Sequence, residues 1–162
     1  MHNETSNLLS AVVREGGEGP RHNVMGVIHS YKVIAAETGG SLSVFEGTVP
    51  PGAGAPPHVH AHEDEAFYVL EGELVFEIDG RNLPLRLGPG SFVFAPRGSR
   101  HAFRNESTAA ARMLALALPG TGVERMFGAF DDATQKSAGG LPPVEHIVAI
   151  ATAHGVTITP PA

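Results

Sequence analysis

The chain has 162 residues, a length that suits one domain with a sizeable core, and it carries 17 acidic residues against 11 Lys and Arg, a net charge of -6. That balance argues against a dedicated nucleic-acid surface, and zero cysteines exclude disulfides, thiolate metal sites and cysteine nucleophiles. Residues 1–19 show no basic start with a long apolar run, and no stretch has the roughly eighteen apolar residues of a membrane span, so the expectation is a cytoplasmic protein with no membrane partner.

In chain order, residues 1–22 are polar and glycine-rich and read as a flexible lead-in, with the apolar run Leu8 to Val13 offering an extra edge strand. Val24 to Ala35 and Ser41 to Val49 read as strands about a Thr38-Gly39-Gly40 turn. Pro50 to Pro57 packs four prolines and two glycines into a rigid loop that stays out of any ladder and delivers His58 in extended geometry. Glu65 to Leu70 follows as a strand rich in aromatic and branched residues. Glu73 to Ile78 and Arg81 to Leu87 flank an Asp79-Gly80 hairpin turn, with Pro84 marking the return strand as an edge or a bulge. Ser91 to Ala95 and Met113 to Leu118 complete the strands.

The tail differs in kind. Gly122 to Ala133 reads as a helix, and Pro142-Pro143 opens a second one in which Val144, Ile147, Val148 and Ala151 recur at helical spacing before Gly155 stops it. Both are expected to pack outside the strands or at a dimer contact, clear of any site. The division is thus a lead-in at 1–22, a β domain at 23–120 and a helical extension at 121–162 packed on it. Many short strands at this spacing imply an antiparallel sandwich or barrel.

Chemistry concentrates between Gly52 and Gly72, which hold three of the nine histidines. Histidines two apart on an extended segment point to one side, so His58 and His60 offer two imidazoles to one point, and the Glu65 carboxylate stands at the mouth of the next strand. The spacing is Gly52, five residues, His58, one, His60, four, Glu65, six, Gly72; downstream it is Gly90, five, Pro96, one, Gly98, two, His101, three, Asn105, with seventeen residues between the two strings. This pair of strings resembles the two motifs of the cupin family, without a departure at any marked position. The resemblance covers about a third of the chain and implies an all-β, jelly-roll-like antiparallel barrel of the kind found in small, quercetinase-like bacterial cupins.

It also implies that His58, His60, Glu65 and His101 converge inside the barrel mouth as ligands of a divalent transition metal. Three imidazoles and a carboxylate suit iron, manganese, cobalt, nickel, copper or zinc, whereas calcium would want more oxygens. An octahedral ion would keep two positions for water, dioxygen or a bidentate substrate. His62 continues the two-residue period, but pairing it with His60 would leave only two residues before Glu65 and misplace Gly52. His62, Glu63 and Asp64 are therefore placed in the turn at the barrel mouth, with His62 exposed or behind the ligands. His29, His146 and His154 are read as isolated, structural or solvated.

Arg97, Arg100 and Arg104 surround His101 and offer a fork for a substrate carboxylate; a solvated surface is the reading taken for them. Phe45, Phe67, Phe103 and Met113 are candidates for an apolar pocket wall, and Asn105 for fixing a turn. Gly52, Gly72, Gly90 and Gly98 are read as backbone devices. By resemblance the protein is expected to be a metal-dependent oxidoreductase of dioxygenase type, with Glu65 as ligand and general base, acting on a small molecule, and a homodimer through its N-terminal strands, where Val24 to Ala35 would supply an edge. The same scaffold also serves metal-dependent isomerases and lyases and non-catalytic ligand-binding proteins.

Overall fold

Period-two alternation of apolar and polar side chains organises most of the chain into strands with one face turned inward. The computed structural model describes residues 9–138 and 140–160. The strands are β1 (Arg21–Val24), β2 (Val27–Val33), β3 (Ser43–Val49), β4 (Gly54–His60), β5 (Asp64–Glu71) and β6 (Leu74–Ile78). They continue with β7 (Leu85–Leu87), β8 (Phe92–Ala95), β9 (His101–Arg104) and β10 (Ala111–Leu118), then helices α1 (Thr121–Lys136) and α2 (Val144–Ala153), and last β11 (Val156–Ile158).

Every pairing is antiparallel. One sheet runs β1-β2-β3-β10-β5-β8 and the other β11-β4-β9-β6-β7. Together they form the expected all-β, jelly-roll-like barrel with two short C-terminal helices. The inward residues of β10 are Ala111, Met113, Ala115 and Ala117, all fully buried, while Arg112, Leu114, Leu116 and Leu118 face outward. In the core Phe67, Phe76 and Phe103 pack with ring centroids 5.6–5.9 Å apart. Tyr31, Phe45 and Phe127 form a second aromatic group.

Helix α1 buries Val123, Met126, Phe127, Phe130 and Ala133, a stripe at spacings of three and four that fits one apolar face. Its Glu124 accepts hydrogen bonds from the Ala35 amide at 2.6 Å and from the Ser43 hydroxyl, and its Asp131 accepts from the Asn23 amide at 2.9 Å. The helix is thereby tied to the first half of the chain.

Several expectations are corrected. Leu8 lies outside the described residues, and Leu9 to Val13 form no strand; the edge is β1 instead. The segment Val24 to Ala35 breaks at a Met25-Gly26 turn and ends in a 3-10 turn at Ala35–Thr38. Because β2 is paired on both sides, by β1 and β3, it supplies no free edge. Pro56 and Pro57 do lie in a strand: the β4–β9 register shifts between Ala55 and His58, so neither proline has to donate to β9. Residues 81–84 stay outside the ladder, and β7 is an edge strand as Pro84 requires. In α2 the inward side is Ile147, Ile150 and Ala151, while Val144 and Val148 are exposed. The three-residue β11 was not foreseen.

Strands β4 and β9 approach so closely at Gly54 that a Cβ there would stand 2.1 Å from the Phe103 carbonyl oxygen. Since the obstacle is backbone, Gly54→Ala should cost about 2–3 kcal/mol, read as a fall of roughly 4–12 °C in melting temperature; an unchanged melting temperature would refute the constraint.

Candidate metal centre

Strand geometry assembles the four expected side chains from both sheets. His58 and His60 alternate with Val59 on β4, so both face inward. His101 lies opposite His58 in the β4–β9 ladder, and Glu65 comes from β5 of the other sheet, where it pairs with Ala95 and Ala117. All four are buried, at 9, 2, 1 and 5% exposure for His58, His60, His101 and Glu65, and their donor atoms lie within 4.8 Å of one another.

Each imidazole is oriented through Nδ1. That atom lies 2.7 Å from the Pro56 carbonyl in His58, 3.2 Å from the Ser99 carbonyl in His101, and 3.3 Å from Glu63 Oε2 in His60. Carbonyl and carboxylate oxygens only accept, so Nδ1 donates in all three rings and Nε2 is left facing inward. The three Nε2 atoms stand 2.9 Å (His101), 3.2 Å (His60) and 3.8 Å (His58) from Glu65 Oε2. Neutral imidazoles of that tautomer would therefore aim three lone pairs at a carboxylate oxygen, an arrangement that needs a positive centre. Adjacent ligands of an ion with bonds near 2.1 Å are about 3 Å apart, close to the His101 and His60 separations and shorter than that of His58.

Electrostatics carry the same demand. With neutral histidines, the buried carboxylates of Glu63 and Glu65 leave two negative charges in an apolar surround, a cost met only by pairing. Protons meet part of it here: burial opposes a charged His60, yet Glu65 and then Glu63 raise its pKa to about 10. Burial likewise opposes the Glu65 charge, but the positive charge of a protonated His60 and the contact with His101 hold its pKa well below the usual carboxylate range. The donor set thus fits a divalent transition metal.

Glu63 is a site residue that sequence reasoning placed only in a turn. It is 4% exposed and sits against the start of α1, where a Cβ on Gly122 would come within 2.0 Å of its Oε1. Its three-residue offset from His60 looks like any acidic turn until the helix closes over it. His62 is exposed, as expected; His146 is exposed too, His154 Nδ1 bonds the Ile150 carbonyl, and neither belongs to the donor group or the cavity wall. Asn105 fixes its turn by donating to Val49 and Ala109 carbonyls at 2.8 and 2.7 Å. The three arginines are engaged elsewhere: Arg97 with Asp64, Arg100 and Arg104 with Glu77.

A cavity of about 70 Å³ opens beside the four donors, with His58, His60 and Glu65 in its wall. Phe45, Phe67, Phe103 and Met113 line it as expected. Contrary to expectation, so do residues of the C-terminal extension, namely Met126, Phe127 and Phe130 of α1, Ala151 of α2, and Val156 and Ile158 of β11. His29, read as isolated, is also in its wall. The signal was present, since His29 alternates in phase with the buried Val27 and Tyr31.

Residues 45–117 match the cupin domain family model. The chain carries a cupin domain. A quercetin 2,3-dioxygenase of Bacillus subtilis (strain 168) is 31% identical over 108 residues, 67% of this chain and 31% of that protein. The dimethylsulfoniopropionate lyase DddQ of Ruegeria pomeroyi is 42% identical over 64 residues, 40% of this chain and 31% of the relative. This cupin therefore spans about a third of the length of either relative. Among solved structures, a predicted oxalate decarboxylase of Thermotoga maritima superposes with a TM-score of 0.59 at 24% identity, covering 67% of this chain and 99% of that one, a likeness of fold. Among the described residues no helix is long and apolar enough to cross a membrane.

Asp64, next to Glu65, accepts the Arg97 side chain at 2.9 and 3.0 Å and its amide at 2.8 Å. These bonds lower its pKa from 3.8 to about 2. A folded-state value below the unfolded one gives stability that is present above about pH 4 and lost as pH falls toward 2. Melting temperatures of wild type and Asp64→Asn should differ near neutral pH and converge across that window; a constant gap would place the effect elsewhere.

Proposed function

We propose that His58, His60, Glu65 and His101 bind a divalent transition metal and that the protein is a metal-dependent oxidoreductase of dioxygenase type acting on a small oxygenated organic molecule. The observation that carries this is the convergence of three inward Nε2 atoms and a carboxylate on one point, beside an apolar cavity. The similarity to quercetin 2,3-dioxygenase supports the reaction class. When bound, the ion supplies Lewis acidity and, if redox-active, one-electron chemistry. The apolar wall excludes water and presses a planar substrate toward the four donors. Glu65 also serves as general base for a phenol or enol proton; its basicity is low while the three imidazoles hold it and rises when it leaves them.

A redox-neutral lyase or isomerase is the second reading, favoured by the 42% identical stretch shared with the lyase. Oxygen uptake separates the two. The same proposal places the protein in the cytoplasm as a homodimer, the latter measurable as mass by sedimentation equilibrium.

Elemental analysis of untagged protein purified without chelator should find near-stoichiometric iron, manganese, nickel, cobalt or copper, with His101→Ala losing it. No metal after anaerobic reconstitution with iron or manganese would sink the proposal. The loaded protein should consume dioxygen with an enol or catechol-type substrate, whereas turnover without uptake would select the lyase reading. Removing the carboxylate that orients His60, as in Glu63→Gln, should weaken metal affinity by about 10–100-fold while leaving the saturating metal content unchanged.

A further inference from the structure

Among the described residues, His29 is the one histidine outside the metal set that lines the cavity. It is 4% exposed, and its Nδ1 is buried with no hydrogen-bond partner. The ring stands between two aromatic side chains, edge-on to Phe45 at 5.0 Å and tilted over Phe127 of α1 at 4.5 Å. On the strand beside it the register partner is Gly47, where an added Cβ would lie 3.8 Å from Nδ1, so the directly opposite position offers the nitrogen no side-chain partner. Buried polar side chains are nearly always partnered, and a neutral imidazole has one donor and one acceptor to satisfy. Burial pushes the pKa of His29 down to about 3, so the ring is neutral at physiological pH and suits an uncharged oxygen.

We propose that His29 is the specificity-determining residue of this cavity, its imidazole hydrogen-bonding a hydroxyl or carbonyl oxygen of a ligand whose other polar end meets the donors His58, His60 and Glu65. This rests on the cavity being the substrate site of the proposed enzyme. It narrows the substrate class to small, planar, largely apolar molecules with two uncharged or weakly acidic oxygens. An aromatic ring in the cavity would lie against its apolar wall, which includes Phe67, Phe103 and Phe130, while its ends are held by unlike groups, His29 on one side and the metal donors on the other.

Matched probes test this. Catechol, resorcinol and hydroquinone are compared with ortho-, meta- and para-cresol, each pair differing only in a hydroxyl against a methyl group. Binding is measured by calorimetry on metal-free and on zinc-loaded protein, zinc being redox-inert. At least one pair should favour the second hydroxyl by about tenfold or more in the wild type. That preference should vanish or reverse in His29→Leu and persist in His29→Gln. No preference in any pair, or an equal preference in His29→Leu, would overturn the proposal. If the variants do not fold, long-range ¹H–¹⁵N spectra of the wild type decide it: the His29 ring nitrogens should shift with the preferred dihydroxybenzene and not with its cresol, and unmoved resonances would refute the assignment. Failure to bind zinc would count against the metal reading alone, because the metal-free measurement still reads His29.

Discussion

A buried carboxylate surrounded by imidazoles is the constraint on which the rest depends. Glu65 comes from one sheet and the three rings from the other, so their attraction joins the two layers of the barrel at its centre. Such a group is tolerable inside only if positive charge stands beside it. The positions of the rings follow from a second set of contacts: a proline carbonyl at a register shift, a serine carbonyl in the turn before β9, and a second carboxylate beneath α1. The two prolines at the β4–β9 register shift are thus part of the same arrangement, because the carbonyl of Pro56 holds Nδ1 of His58 and so fixes its ring.

The cavity is assembled by parts of the chain remote in sequence. The barrel provides the donors and part of the aromatic wall, while α1, α2 and β11 provide further lining. Strand β11 pairs with β4 in a register that puts Val156 opposite His60 and Ile158 opposite His58. The C-terminal extension therefore acts on the centre twice, once as wall and once as the neighbour of its principal strand.

How much of this was legible follows from the range of each signal. His58 and His60 were readable as a pair because alternate side chains of an extended segment share a face, and Glu65 and His101 joined them because the two spacing strings resemble the cupin motifs. So were most strands of the barrel and the inward faces of Phe45, Phe67, Phe103 and Met113. Glu63 was not, since its burial depends on Gly122 nearly sixty residues later admitting it at the start of α1. Reading Pro50 to Pro57 as a loop failed because prolines are excluded only from positions that must donate, and a register shift removes that duty. The role of α1 and α2 was missed for a similar reason: an amphipathic stripe shows that a helix packs on something, and says nothing of what lies between it and its partner. Residue His29 stood in a readable alternation, but a lone histidine on an inward face gives no sign of whether its nitrogens are satisfied.

The pairing of β11 with β4 bears on the order in which the protein is made. A ribosome delivers the four donors by residue 101, yet the strand that flanks two of them arrives only at residues 156–158. Until then β4 lacks its partner on that side, and the cavity lacks the wall that α2 and β11 supply. Completion of the site is in this sense a late event of chain growth, and a product cut short before β11 would hold every ligand of the centre without its closing strand.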